Sequence, residues 1–265
     1  MEKVSAREKS KYIQEAANCA ANQVYPLSIA EGFQEGDIFR SQSGCLLFWH
    51  YSGFAYLSGK GVHESWQQTQ PSICGMDQAF LEEIYRIFFI RPLERRFLLI
   101  TEDDALVDFY RDLGGLEMKR RVEFRFENLP KERGTLDWPF SMERISEENF
   151  DKIHGRIIPS FSWDSRESFL EKGFGFVIRN GEEIAALAFS AAVSSTEVDI
   201  GLETDPCYRR RGFASKAALR MCQEILDLGK KPVWAAAETN AGSMRTAESA
   251  GFLPERINTV IRRAL

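Results

Sequence analysis

The stretch of this chain best equipped for chemistry is Asp205-Pro-Cys-Tyr-Arg-Arg-Arg-Gly-Phe-Ala214. Arg209, Arg210 and Arg211 supply full positive charge, while Gly212 and small Ala214 leave the main chain bare enough for an anion to reach it. The stretch lies between an alternating run, Thr196 to Thr204, and a run with apolar residues at helical spacing, Ala214 to Leu228. A turn from strand into helix leaves N–H groups unpaired and facing outward, and the helix dipole adds partial positive charge, so phosphate is the expected ligand class. The G-x-x-x-x-G-K-[ST] loop of nucleotide hydrolases and the three-glycine dinucleotide fingerprint are both absent. Without the glycine and the flanking elements, the three arginines would read as a surface patch.

Other residues carry two readings each. Along the alternating run Val198, Ile200 and Leu202 share one face and Glu197, Asp199, Gly201 and Glu203 the other. The three acids either are simply a solvated strand face or, as the family resemblance carried by the arginine-glycine loop implies, include a carboxylate that takes a proton from an amine, with Glu203 the first candidate and Asp199 the second. Asn240 and Ser243 either contact a ligand or cap the last helix. Phe161, Trp163 and Phe169 either line a pocket or belong to the core.

The elements that must position these residues follow from turn formers and periodicity. The polar stretch Asn128 to Asp137 separates residues 1–130 from residues 138–265, each a mixture of strands and helices. After it come a strand FSMERIS, a helix from Glu147 to Ile158, and a second helix SRESFLEK with Ser165 as N-cap. Gly173 to Ile178 and Glu183 to Ala192 form a hairpin about Asn180-Gly181, a pair suited to two left-handed positions. The helix Ala214 to Leu228 carries Ala214, Ala218, Met221, Ile225 and Leu228 on one stripe and stops at Gly229. A strand PVWAAAE, a helix from Ser243 to Ala250 and a final strand Ile257 to Arg263 complete the order.

With those elements in place, Arg209-x-x-Gly212-x-Ala214 resembles the pyrophosphate-binding signature R/Q-x-x-G-x-G/A of the GNAT superfamily of N-acetyltransferases. Asn240-x-x-Ser243, followed by Ala247 and Gly251-Phe252, is similar to that family's second signature. Ser160-Phe-Ser-Trp-Asp-Ser165 and the phrase IGLET are similar to a bacterial subgroup with an extra amino-terminal domain. The resemblance implies an α/β fold whose mixed sheet splays between the strand ending at Thr204 and the strand PVWAAAE. Coenzyme A, as acetyl-CoA, would place its pantetheine along Leu202 to Thr204. Its pyrophosphate would sit on the amides of Arg209, Arg210, Arg211, Gly212, Phe213 and Ala214, with Asn240 and Ser243 nearby. The acceptor would be a primary amine of a small molecule or peptide, attacking the thioester directly. Many relatives place a tyrosine as general acid where this chain has Ala247, which leaves Tyr208 or unassisted thiolate departure.

The amino-terminal half holds CLLFWHYSGFAYLSG, a hairpin turning at Ser52-Gly53, a helix from Met76 to Ile90 and a strand RRFLLIT. A helix from Asp103 to Leu113 ends at Gly114-Gly115 before a strand LEMKRRVEFRFE. Tyr110 stands before Gly114 as Ala247 stands before Gly251, so this half reads as a degenerate GNAT repeat without the arginine-glycine loop. With one strand after the last helix, the second half would leave an open sheet edge, which LEMKRRVEFRFE is long enough to cover. The first twenty or so residues alternate charge with small apolar residues and read as an amphipathic helix rather than a secretory signal.

Composition narrows the function classes. A net charge of −5 argues against a nucleic-acid partner, and no apolar run reaches membrane length, so the expectation is a cytoplasmic protein. Cys19, Cys45, Cys74, Cys207 and Cys222 form no C-x-x-C pair, and His50, His63 and His154 are scattered, so no metal site is expected. Two alternatives stand beside the acetyltransferase: a catalytically silent acyl-CoA-binding regulator and an aminoacyl transferase built from paired GNAT units.

Overall fold

The computed structural model describes residues 1–19, 22–58, 77–131, 136–137 and 139–264. His63, Cys74, the Met76 helix start, and Trp138 and Leu265 at the ends of the second expected domain lie outside the described residues. Two compact units emerge: Met1–Arg121 with Ile257–Leu265, and Val122–Arg256. The division thus falls ahead of the polar stretch at 128–137, and the last strand is shared between the units.

In the first unit the expected amino-terminal helix is replaced by a strand β1 (Glu2–Lys3), a 3-10 segment (Ala6–Tyr12) and a short helix α1 (Ile13–Ala17). The reason is that this segment offers almost no apolar stripe: in α1 only Ala16 is buried. Helix α2 (Val24–Glu31), not foreseen from the sequence, is buried almost throughout. Strands β2 (Gly36–Arg40), β3 (Leu46–His50) and β4 (Phe54–Ser58) are antiparallel, with the β3–β4 turn at Ser52-Gly53 as expected. Helix α3 (Gln78–Ile84) loosens into a π turn over Tyr85–Ile90, and β5 (Leu98–Thr101) then runs parallel to β4. Asp103 caps helix α4 (Asp104–Leu113) by accepting from the Ala105 and Leu106 amides, and β6 (Leu116–Phe126) follows.

The second unit opens with β7 (Phe140–Arg144). The helix expected over 147–158 is only the turn α5 (Glu147–Phe150), because Gly155 adopts φ 135° and Pro159 follows. Ser165 caps α6 (Arg166–Lys172) as expected, through the Ser168 amide. Strands β8 (Gly175–Asn180) and β9 (Glu183–Val193) pair up to Asn180 opposite Glu183, so the turn residues are Gly181 and Glu182. Asn180 is therefore the last strand residue rather than a left-handed turn residue; only Gly181 has positive φ there, at 60°. Strand β10 (Glu197–Thr204), helix α7 (Phe213–Asp227), strand β11 (Lys231–Ala237) and helix α8 (Ala241–Ser249) come where expected. Helix α7 buries Ala217, Ala218, Met221, Cys222 and Ile225, whereas Leu228, assigned to its stripe, is 53 % exposed beyond the helix end. Strand β12 (Phe252–Arg263) starts directly after Gly251, five residues earlier than expected.

Sheet order in the first unit is β1-β2-β3-β4-β5-β12-β6, and in the second β12-β6-β11-β10-β9-β8-β7. β12 pairs antiparallel with β5, Thr259 opposite Thr101, and β6 lies on its other side, so the edge left open in the sequence reading is filled. The first unit's core gathers Leu47, Trp49, Leu57, Phe89, Tyr110 and Ile261. In the second unit, Trp163 donates from Nε1 to the Ser190 carbonyl at 2.8 Å and packs edge-on against Phe169, itself fully buried. These two aromatics belong to the core.

Candidate functional site

The site grows from how β10 and β11 part. Their parallel pairing covers Glu197, Val198 and Asp199 against Lys231, Pro232 and Val233 and goes no further, although β10 continues to Thr204 and β11 to Ala237. On its other side β10 stays paired with β9 from Val198 to Thr204. Main-chain groups of β10 beyond Asp199 on the β11 side are thereby released along Leu202 to Thr204. Thr204 adds a hydroxyl whose Oγ1 is buried with no hydrogen-bond partner among the described residues.

Strand β10 ends in a turn organised by Asp205, whose Oδ1 accepts from the Cys207 amide. Arg209 donates from Nε to the Thr204 carbonyl at 3.3 Å, which folds the loop back onto the strand end. Arg210 has φ 63° and Gly212 φ 78°; Arg210 is the one non-glycine with positive φ among the described residues. A left-handed side-chain-bearing residue costs roughly 1–2 kcal/mol, so the loop stores strain to turn its amides. A β-carbon at Gly212 would meet nothing within 4 Å, so the space in front of its main chain is open. The α7 helix bond from Lys216 N to Gly212 O leaves the amides of Phe213 and Ala214 among the orphans of the first turn. Arg211 extends over Tyr208, its guanidinium carbon 5.5 Å from the ring centroid. Arg209, Arg210, Arg211 and Gly212 are exposed, Ala214 half-buried and Phe213 buried under the loop. This is a cradle shaped for an anion, and an orphaned buried hydroxyl with a bare αL glycine fits the phosphate and amide groups of coenzyme A.

The second signature lies differently. Asn240 accepts from the Ser243 amide at 3.1 Å, and Ser243 Oγ accepts from Trp234 Nε1 at 3.2 Å. Asn240 is thus the α8 N-cap, and Ser243 pins Trp234 of β11 to that helix. Ala247 is fully buried. Tyr208 donates to a Glu183 oxygen and accepts from Asn180 Nδ2, and the bond to Glu183 raises its pKa above the ordinary phenol value. A phenol so held is a weakened acid.

The acids are not a solvated face. Asp199 is 4 % exposed, and Gly201 beside it lies so close to Phe189 that a β-carbon would approach the ring to 2.5 Å. Burial raises the pKa of Glu197, against the opposing influence of Lys231 and Arg256. Glu203 sits at the wide end of the parting strands, where Oε2 accepts from the amides of Ile157 at 3.0 Å and Arg156 at 3.3 Å. Oε1 carries no hydrogen bond from the described residues. Sequence reasoning missed the 155–157 loop, because a long-range carboxylate-to-amide contact leaves no local pattern. It also missed the left-handed Arg210, although Asp205-Pro206 is a readable turn starter.

Solved structures share this fold. A GCN5-related N-acetyltransferase-like protein from Streptococcus suis superposes with a TM-score of 0.70 at 20% identity, over 98% of this chain and 100% of that one. A GNAT-family acetyltransferase from Colwellia psychrerythraea matches with a TM-score of 0.59 at 10% identity over 99% of both chains. A GCN5-related N-acetyltransferase from Sphaerobacter thermophilus gives 0.59 at 12% identity, over 99% of this chain and 94% of that one. No protein of curated function matches at the sequence level. The family model for GNAT acetyltransferases matches residues 94–260, and the chain belongs to that family. The matched stretch takes in β5, α4 and β6 of the amino-terminal half as well as the loop.

Proposed function

We propose that this chain moves an acetyl group from acetyl-CoA to the primary amine of a small molecule or peptide. The carrying observation is that β10 and β11 part at Asp199 and Val233, directly before a strained loop whose Gly212 faces open space. When bound, coenzyme A supplies the activated acyl thioester. Amides of Arg209 to Ala214 would hold the pyrophosphate, aided by the three guanidinium groups, and main chain from Leu202 to Thr204 would align the pantetheine. Glu203 Oε1, at the wide end of the gap, takes the proton from the attacking amine. Released β10 amides would offer hydrogen-bond donors to negative charge on the acyl oxygen.

Two measurements test this. Acetyl-CoA at about a hundred times its dissociation constant should stabilise the protein by about 2.7 kcal/mol, seen as a raised Tm; no shift at about 1 mM would remove the proposal. Glu203→Gln should lower turnover roughly ten- to a thousandfold with acetyl-CoA affinity kept, whereas a larger loss at Asp199→Asn moves the base there. A second reading, a silent acyl-CoA-binding regulator, draws on the buried Ala247 and the hydrogen-bonded Tyr208, which leave no evident acid for the thiolate. Tight acetyl-CoA binding with no thiol release across a panel of amines would select it.

A further inference from the structure

We infer that Glu203 also latches the His154–Ile158 segment over the end of β10, making that segment the acceptor-side wall of the cleft; the acceptor part rests on the function proposed above. The segment joins α5 to the 3-10 turn Pro159–Phe161 and has few ways to satisfy its main chain locally. Two successive amides, of Arg156 and Ile157, both donate to Oε2 of Glu203, some 46 residues away in sequence for Ile157.

The packing beneath is shaped for the same contact. At Gly155, φ is 135°, and a β-carbon would lie 2.9 Å from Glu203 Cγ and 3.5 Å from Ile158 Cγ2. Any side chain there pushes the segment off the carboxylate. The next acid along the chain lies near the same segment: Asp205 Oδ2 is 3.8 Å from His154 Nε2, a distance beyond hydrogen-bond range. Asp205 also starts the turn into the arginine loop. The same short run of chain, Glu203 to Asp205, therefore grips the segment on one side and leads into the phosphate cradle on the other. Because Oε2 holds the segment while Oε1 is left over, one carboxylate serves both as proton acceptor and as anchor.

The two duties separate by substitution. Glutamine at this position still accepts both amides but cannot take a proton; alanine does neither; Gly155→Ala frees the segment with Glu203 intact. Hydrogen exchange at the Arg156 and Ile157 amides, measured on the full chain without ligand, should speed up about tenfold or more in Glu203→Ala and Gly155→Ala and stay near wild type in Glu203→Gln. Unchanged exchange in Glu203→Ala overturns the latch. In turnover, Glu203→Gln should lose kcat with KM for the amine kept, while Gly155→Ala should raise that KM several-fold with acetyl-CoA affinity nearly kept. An unchanged amine KM in Gly155→Ala, with exchange accelerated, overturns the acceptor-wall assignment. Failure of acetyl-CoA to bind the wild type would sink the proposed function instead, and the exchange result would still decide the latch.

Discussion

In the first unit β4 runs parallel to β5 from Phe54 and Leu98, after the antiparallel strands β1, β2 and β3; in the second β10 runs parallel to β11 from Glu197 and Lys231, after the antiparallel strands β7, β8 and β9. Both parallel pairs are followed by a capped helix, a glycine and a long strand. The order of elements is alike, but the sequences between the parallel strands differ. Between β10 and β11 stands the arginine-glycine loop, whereas residues 59–76, between β4 and the next helix, contain no arginine at all. Tyr110 and Ala247 occupy matching places before the helix-ending glycines, and the tyrosine belongs to the half without the loop. There its hydroxyl donates to the Leu81 carbonyl at 3.2 Å, and burial pushes its pKa far above the ordinary phenol value. The order of strands and helices thus recurs in both units, while the sequence of the arginine-glycine loop stands only between the second unit's parallel strands.

The sharpest break of this comparison is Gly212→Asp. It sets a carboxylate where the loop offers bare amides, so acetyl-CoA affinity should fall more than a hundredfold, about 2.7 kcal/mol or more, by calorimetric titration. Normal binding by the folded variant would remove the asymmetry between the units.

A second break tests the acid response of the first unit. His50 is fully buried, its Nδ1 accepting from the Ser52 amide at 3.1 Å, and burial pushes its pKa down to about 3. Folded His50 is neutral while the unfolded chain takes a proton below about pH 6.5, so its contribution is complete above that pH and is lost as pH falls toward 3. Denaturant unfolding should show about 1.4 kcal/mol lost per pH unit in that window, and His50→Phe should remove that slope. An identical slope in the variant would assign the acid response elsewhere.

Tyr110→Phe should cost about 1 kcal/mol in chemical unfolding and leave acetyl-CoA affinity unchanged, since this tyrosine is a core residue. A change in affinity would mean that the first unit takes part in the site. Smallest is Glu197→Gln. Because burial raises the folded pKa of Glu197, ionisation costs stability at pH above that pKa and costs nothing well below the unfolded value. Tm should rise by about 1–2 °C near neutral pH, with the gain vanishing in acid. A lowered Tm would show that the pair with Lys231, at 3.8 Å, outweighs burial.

Much of the second unit was legible because its signals are local. Glycines after α7 and α8, the Ser165 cap and the alternation of β10 each act within a few residues. What failed depends on partners distant in sequence. Alternation says that Asp199 and Glu203 share a face but not that Phe189 of β9 lies over Gly201, nor that the 155–157 amides reach Glu203. Asn240 shows why the second signature was ambiguous: an N-cap and a ligand contact ask for the same side chain at the same place. The hairpin erred by one residue because Asn180 and Gly181 can both go left-handed, and the pairing of Asn180 with Glu183 was decided by strand register.

The sharing of β12 has a consequence for how the molecule is made. Thr259, Val260 and Ile261 are the antiparallel partners of Thr101, Ile100 and Leu99, and Ile261 sits in the first unit's core. A nascent chain therefore leaves that edge of β5 unpaired until Thr259 to Ile261 have been made, after every residue of the second unit. Domain-by-domain folding from the amino terminus, the usual order during translation, is not open to this protein. A nonsense change after Arg256 would strip the beginning of the chain of its strand while leaving the loop-bearing unit its own residues.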